Sequence, residues 1–138
     1  MMKIIDISII LVNLLFFSYY SIQLLIFTDE FALNNLGFFN HAVAGLSEVL
    51  GIIFLTFVIG FIIIFFKGIE KQLPFIFSIF ILQLLASLNF WRYVLTDSPG
   101  ETSIQVITVN AIIFSLVSFL SLITVSYTHL TLPTSDLV

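Results

Sequence analysis

The chain reads as an all-α polytopic membrane protein, an antiparallel bundle of four transmembrane helices. Three observations predict this. Hydrophobic residues make up 60% of the 138 positions, against about 45–50% in a soluble domain. Charged residues make up 9%, against about 25%. The apolar residues gather into four blocks at 4–27, 41–66, 74–95 and 102–124. Each block exceeds the roughly 20 residues of helix that cross a bilayer core about 30 Å thick. A soluble domain of this length keeps too much of its surface in water to hide so much apolar side chain. Lipid removes the conflict.

Phenylalanine, at 17 copies, and the β-branched residues favour strands in water. In lipid an open strand leaves its backbone unpaired, and a closed barrel needs alternating segments of about 10 residues. These blocks are twice as long and do not alternate, so they are helices.

The connectors are polar. Residues 28–40 carry Asp29, Glu30, Asn34, Asn35 and Gly37 and no base. Residues 67–73 hold Lys67, Glu70 and Lys71. Pro74 follows at the first turn of the third block, where its missing N–H costs little. Residues 96–101 contain Asp97, Ser98, Pro99 and Gly100, which is turn chemistry. Lys3, Lys67 and Lys71 fall on one side of a four-span chain and Arg92 on the other, beside Trp91 and Tyr93. The bias of basic residues toward the cytoplasm predicts a cytoplasmic N-terminus in a cell inner membrane. The first block is too long for a signal peptide and has no small-residue cleavage site, so it is read as a retained helix.

Residues 125–134 read Val-Ser-Tyr-Thr-His-Leu-Thr-Leu-Pro-Thr. That decapeptide resembles the translation of a transposase sequencing adapter. The expectation is a native frame that ends near Thr124 and a foreign tail over 125–138, as in a metagenomic fragment. His129, Tyr127 and Asp136 accordingly carry no functional argument.

Ionisable groups inside a span are costly and mark candidate sites. Glu48 lies seven residues into the second block, about 10 Å below its start at a rise of ~1.5 Å per residue. Arg92 and Asn89, one turn apart near the end of the third block, reach the same leaflet. The expectation is a Glu48–Arg92 pair, with Asn89 as a second partner of Glu48. Tyr20, Gln23, Gln105, Thr108, Asn110 and His41 lie at similar depth. Together they would line a polar pocket for a small polar ligand, a lipid headgroup or a proton. The alternative reading, and the heavier one, is interhelical hydrogen bonding that fixes the bundle.

Asp6, Asn13 and Tyr20 recur every seven residues and share one face of the first helix. Gln83, near the middle of the third block, is positioned to meet Asn13 at the midplane. Small residues pattern as well. Ser47 and Gly51 pair on the second helix, and Thr108, Ala111, Ser115, Ser118 and Leu122 form a stripe on the fourth. Such stripes let helices approach closely, within one chain or between chains.

The region 1–124 resembles, in helix count, helix length and its acidic connector 28–40, the small four-helix bacterial membrane proteins of the DoxX-like type and other bacterial families of that size. The resemblance implies a multi-pass inner-membrane protein and carries no site residue across. The small multidrug-resistance transporters also have four helices, but their membrane Glu lies in the first. Here Asn13 holds that centre and the Glu is in the second helix.

Function classes narrow accordingly. Four Lys and Arg in the chain exclude a nucleic-acid binder. Cysteine is absent, and His41 has no second His or Cys in residues 1–124 to complete a metal site. No catalytic residue, metal or cofactor is expected. The leading expectation is a non-enzymatic packing subunit in the lipid bilayer, partnered by itself or another membrane protein. The runner-up is a small transporter or ligand-binding protein using Glu48, Arg92, Asn89, Tyr20 and Asn110. A lipid-modifying enzyme, with Glu48 and His41 as acid and base, stands third.

Overall fold

The computed structural model describes residues 3–130, with side chains as far as Ser126. The described residues form five α-helices and no strand: α1 (Ile4–Leu25), α2 (Thr28–Asn35), α3 (His41–Lys67), α4 (Leu73–Leu95) and α5 (Ile104–Leu130). All but α2 are long and apolar enough to cross a membrane. The chain is a multi-pass helical membrane protein.

Local chemistry sets the helix ends. The Asn40 side chain accepts a hydrogen bond from the Val43 amide at 2.8 Å and caps α3. Lys67 sits in the last turn of α3, where a cation meets the negative end of the helix. Pro74 occupies the first turn of α4, as its sequence position predicts. Ser103 Oγ accepts from the Val106 amide at 3.3 Å and starts α5.

Two boundaries differ from the sequence reading. The connector 28–40 contains helix α2. Its first turn carries Asp29 and Glu30, which favour a helix N-terminus, and no Gly or Pro interrupts it before Gly37. Helix α5 does not stop at Thr124 but runs on to Leu130. The residues after Thr124 include Ser126, Thr128 and His129, yet Val125 and Leu130 stand among them and the first helix breaker is Pro133. Residues 131–138 of the adapter-like tail lie outside the described residues.

The four long helices form two antiparallel pairs. Helix α1 packs along α3, and α4 packs along α5. A narrower α1–α5 contact joins the pairs, and no Cα of α3 comes within 8 Å of one in α4. Lys3 and the loop 68–72 mark one end of the bundle, termed basal here. Helix α2 and the loop 96–103 mark the other, the distal end.

Inside the first pair Phe17 is fully buried. Its ring meets Phe16 edge-on at 4.9 Å, Phe54 and Phe57 at 5.2 Å, and stacks on Phe61 at 6.0 Å. Gly51 allows this close packing. A Cβ added there would lie 2.7 Å from Leu25 Cγ and 3.0 Å from Leu24 Cβ. On the other pair most of the small stripe turns inward: Ala111 and Ser118 are buried, Thr108 and Ser115 are half-buried, and Leu122 faces outward. Ser115 Oγ accepts from Trp91 Nε1 at 2.8 Å and lies 3.3 Å from Ser87 Oγ.

The pairs are clasped near mid-membrane by side-chain amides. Gln83 Nε2 of α4 donates to Asn13 Oδ1 of α1 at 2.8 Å. Ser121 Oγ of α5 donates to Gln83 Oε1 at 2.7 Å. Asn13 Nδ2 donates to Ser121 Oγ at 3.3 Å and to the Ile9 carbonyl at 3.1 Å. All three side chains are at most 2% exposed. The Asn13–Gln83 meeting is the one that their shared depth predicts. Asp6 and Tyr20 share the inward face with Asn13 and are buried too.

Asn13→Leu strands the Gln83 amide in a dry interior. Interhelical hydrogen bonds in membranes are worth about 0.6 kcal/mol on average and up to ~1.7, and an orphaned buried group costs about 1–3 kcal/mol. The variant is therefore expected to lose about 1–2 kcal/mol, read by steric trapping in bicelles. Asn13→Leu combined with Gln83→Leu should recover part of that loss. A double variant as unstable as the sum of the singles would rule the clasp out. Gly51→Leu is expected to separate α1 from α3 and to abolish the folded species in the same assay.

Candidate functional site

The residues marked from sequence divide into two groups. Glu48, Asn89 and Arg92 are exposed on the outside of the bundle. Tyr20 and Asn110 meet inside it at the distal end.

The anticipated Glu48–Arg92 pair does not form. Arg92 Nη2 donates instead to Asn89 Oδ1 at 3.3 Å, one turn back on its own helix, and its guanidinium lies 4.5 Å from the centre of the Tyr93 ring. Among the described residues Glu48 has no hydrogen-bond or ion-pair partner. Two physical reasons account for this. The short loop 68–72 joins α3 to α4, but each packs on a different partner and their backbones stay apart. The uncharged run 49–66 of α3 is also sufficient by itself: its eighteen residues extend about 27 Å, close to the hydrocarbon thickness. Glu48 then falls at headgroup level, where water solvates its charge. His41 and Gln105 are exposed as well, and the Thr108 hydroxyl bonds back to the Ile104 carbonyl at 2.7 Å.

Tyr20 and Asn110 form the start of a different constellation. The Tyr20 hydroxyl donates to Asn110 Oδ1 at 2.7 Å. Asn110 Nδ2 donates to Asn35 Oδ1 at 3.0 Å and to the Val106 carbonyl at 3.1 Å. Asn35 Nδ2 in turn donates to the Phe31 carbonyl at 3.0 Å, within α2. Three elements thus converge. Helix α1 brings Tyr20 on the same face as Asn13, two heptad steps from Asp6. Helix α5 brings Asn110, and α2 lies across them and adds Asn34 and Asn35.

Helix α2 is held in place at its far end. Gly37 adopts φ +82°, a left-handed conformation that suits glycine. It sits so close to the Glu101 backbone that a Cβ would overlap the Glu101 carbonyl. Thr102 Oγ1 also donates to the Asn34 carbonyl at 3.4 Å. The α2 segment is therefore pinned to the α4–α5 loop, and Ala32 is fully buried beneath it.

Beside this chain of hydrogen bonds lies a pocket of about 230 Å³. Its polar lining comes from Tyr20, Asn34, Asn35 and Asn110, and its apolar walls include Phe31 and Ile113. No charged residue lines it. Tyr19 and Val109 flank it on the outer surface of the bundle, where each is 55% exposed. The Asn34 side-chain amide has no hydrogen-bond partner among the described residues.

Comparison of the chain with protein-family models, with curated proteins and with solved structures finds no match. The site is therefore argued from its own chemistry. Sequence reasoning missed Asn34 and Asn35, because it treated 28–40 as a loop. The pair of adjacent amides following a break-free, acid-started segment is the signal that was present.

Tyr20→Phe removes the donor to Asn110 and leaves Asn110 Oδ1 unpaired. Its expected cost is about 1 kcal/mol in the same unfolding assay, the value of one net hydrogen bond. Glu48→Gln and Arg92→Gln are each expected to stay within about 0.5 kcal/mol of the parent, as exposed substitutions do, and to add without coupling. A coupling energy between them larger than that would restore the ion pair.

Proposed function

We propose that the chain is a non-enzymatic multi-pass membrane protein that holds a small neutral ligand in the distal pocket of Tyr20, Asn34, Asn35 and Asn110. The observation that carries this reading is the convergence of three elements on one pocket. Two of its residues, Tyr20 and Asn110, are unusual polar groups within long apolar helices, and both turn toward it. Ligand sites in helical bundles lie between helices and combine apolar walls with a few convergent polar groups. The pocket has both.

The packing-subunit reading rests on small-residue stripes. Much of that surface is already used within the chain: Ser47, Ala111 and Ser118 are buried and Gly51 lies against Leu24 and Leu25, while Leu122 alone faces outward. A transport reading through Glu48 loses its central group, which faces outward. Binding without chemistry is what remains best supported. The reading includes a bacterial inner membrane, with the basal end cytoplasmic. Its support is the Lys3, Lys67 and Lys71 bias at that end.

Val109→Trp is expected to fill the pocket from its rim while leaving the fold intact. A thermal-shift screen of uncharged fragments in nanodiscs should find compounds that raise the unfolding temperature of the parent chain and not of Val109→Trp. Stabilisation that persists unchanged in the variant would contradict the site. For orientation, Gln72→Cys and Ser98→Cys, introduced singly into this cysteine-free chain, should react with a membrane-impermeant maleimide from opposite sides. In intact cells Ser98→Cys labels and Gln72→Cys does not; the reverse result inverts the topology.

A further inference from the structure

We infer that the occupant of the distal pocket is an uncharged, hydroxyl-bearing lipid headgroup that enters sideways from the bilayer between α1 and α5. The inference rests on the ligand-binding reading above and names its ligand class. Four observations carry it.

The first is charge. No acid or base lines the pocket, so a charged head would give up its hydration without a counter-ion, which is expensive. The second is the set of unused polar groups. Asn34 offers an amide donor and an amide acceptor that no described residue uses. The Tyr20 oxygen donates its hydrogen to Asn110 and keeps lone pairs to accept with. A head that both donates and accepts matches this set. A hydroxyl does both, whereas an ether or a ketone only accepts.

The third observation is size. The volume of about 230 Å³ equals roughly seven or eight water molecules at ≈ 30 Å³ each. That is room for a head of the size of glycerol and too little for a whole lipid. The fourth is the position of the opening. Tyr19 and Val109, both largely exposed, flank the pocket on the perimeter that faces lipid. Phe31 and the rest of α2 cover it from the distal side. Tyr20 lies five residues from the end of α1, about 8 Å at ~1.5 Å per residue, so the pocket sits just beneath headgroup level. An acyl chain then lies outside, along Tyr19 and Val109, and the head alone turns inward.

The test uses the full chain in phosphatidylcholine nanodiscs and a photoactivatable diazirine analogue of 1-monooleoylglycerol. Labelling is mapped by mass spectrometry and competed with unlabelled 1-monooleoylglycerol, with oleate and with oleylamine. The expected result is saturable labelling at the Tyr19 and Val109 positions that the glycerol ester displaces and the two charged amphiphiles do not. Asn34→Ala, which alters only an exposed side chain, should bind the ester about fivefold more weakly, the loss of one neutral hydrogen bond. Val109→Trp should abolish saturable labelling. Equal displacement by oleate or oleylamine overturns the headgroup class and leaves the pocket as a ligand site. Labelling that never saturates, or that is identical in Val109→Trp, overturns both this inference and the binding reading.

Discussion

The structure depends on one clasp, the ring of hydrogen bonds among Asn13, Gln83 and Ser121. Lipid tails are as apolar as leucine, so burying Leu or Phe between helices gains nothing over leaving it in the bilayer. Close packing and polar contacts must supply specificity instead. Within each pair, α1 with α3 and α4 with α5, small residues let the helices approach closely. Between the pairs the backbone contact is narrow; Phe114 packs there against Phe16 and Tyr20, and three buried polar side chains add the clasp. Each satisfies the others' amide or hydroxyl groups, which hydrocarbon would leave bare. The clasp also sets register. Once Asn13 lies against Ser121, the antiparallel run of α1 and α5 carries Tyr20 to the level of Asn110.

The distal pocket follows from that register together with the pinning of α2. Tyr20 and Asn110 would bond to each other in any bundle of this register. The hollow beside them exists because α2 spans the gap and Gly37 fastens its end against Glu101. A tight turn thus places a structural hydrogen bond along the wall of a half-open pocket. No charged side chain lines that pocket.

Much of this was legible in the sequence, for identifiable reasons. Four spans follow from block length against bilayer thickness. The inward face of α1 follows from a spacing of seven, and Gln83 was matched to Asn13 by depth alone. Depth also placed Tyr20 and Asn110 together. Depth failed for Glu48 and Arg92, because two residues at one level meet only if their helices are neighbours. A short loop was taken to make α3 and α4 neighbours along their length, but they meet through Phe75 against Phe57 and Phe61 near the basal end and their backbones stay apart. Neighbour choice in this bundle is decided by Gly51 and the small stripe of α5, whose partners a sequence does not name. Helix α2 was missed because polar composition was read as loop, although the segment had neither Gly nor Pro to prevent a turn of helix.

The clasp has a consequence for biosynthesis. Its residues are remote along the chain: Asn13 is separated from Gln83 by 70 positions and from Ser121 by 108. As the ribosome delivers the helices in order, α1 and α3 pair early, while the Asn13 amide still faces lipid or the insertion machinery. Only when α4 and then α5 are released does it find partners. The most buried amide of the first helix therefore reports on the arrival of the last.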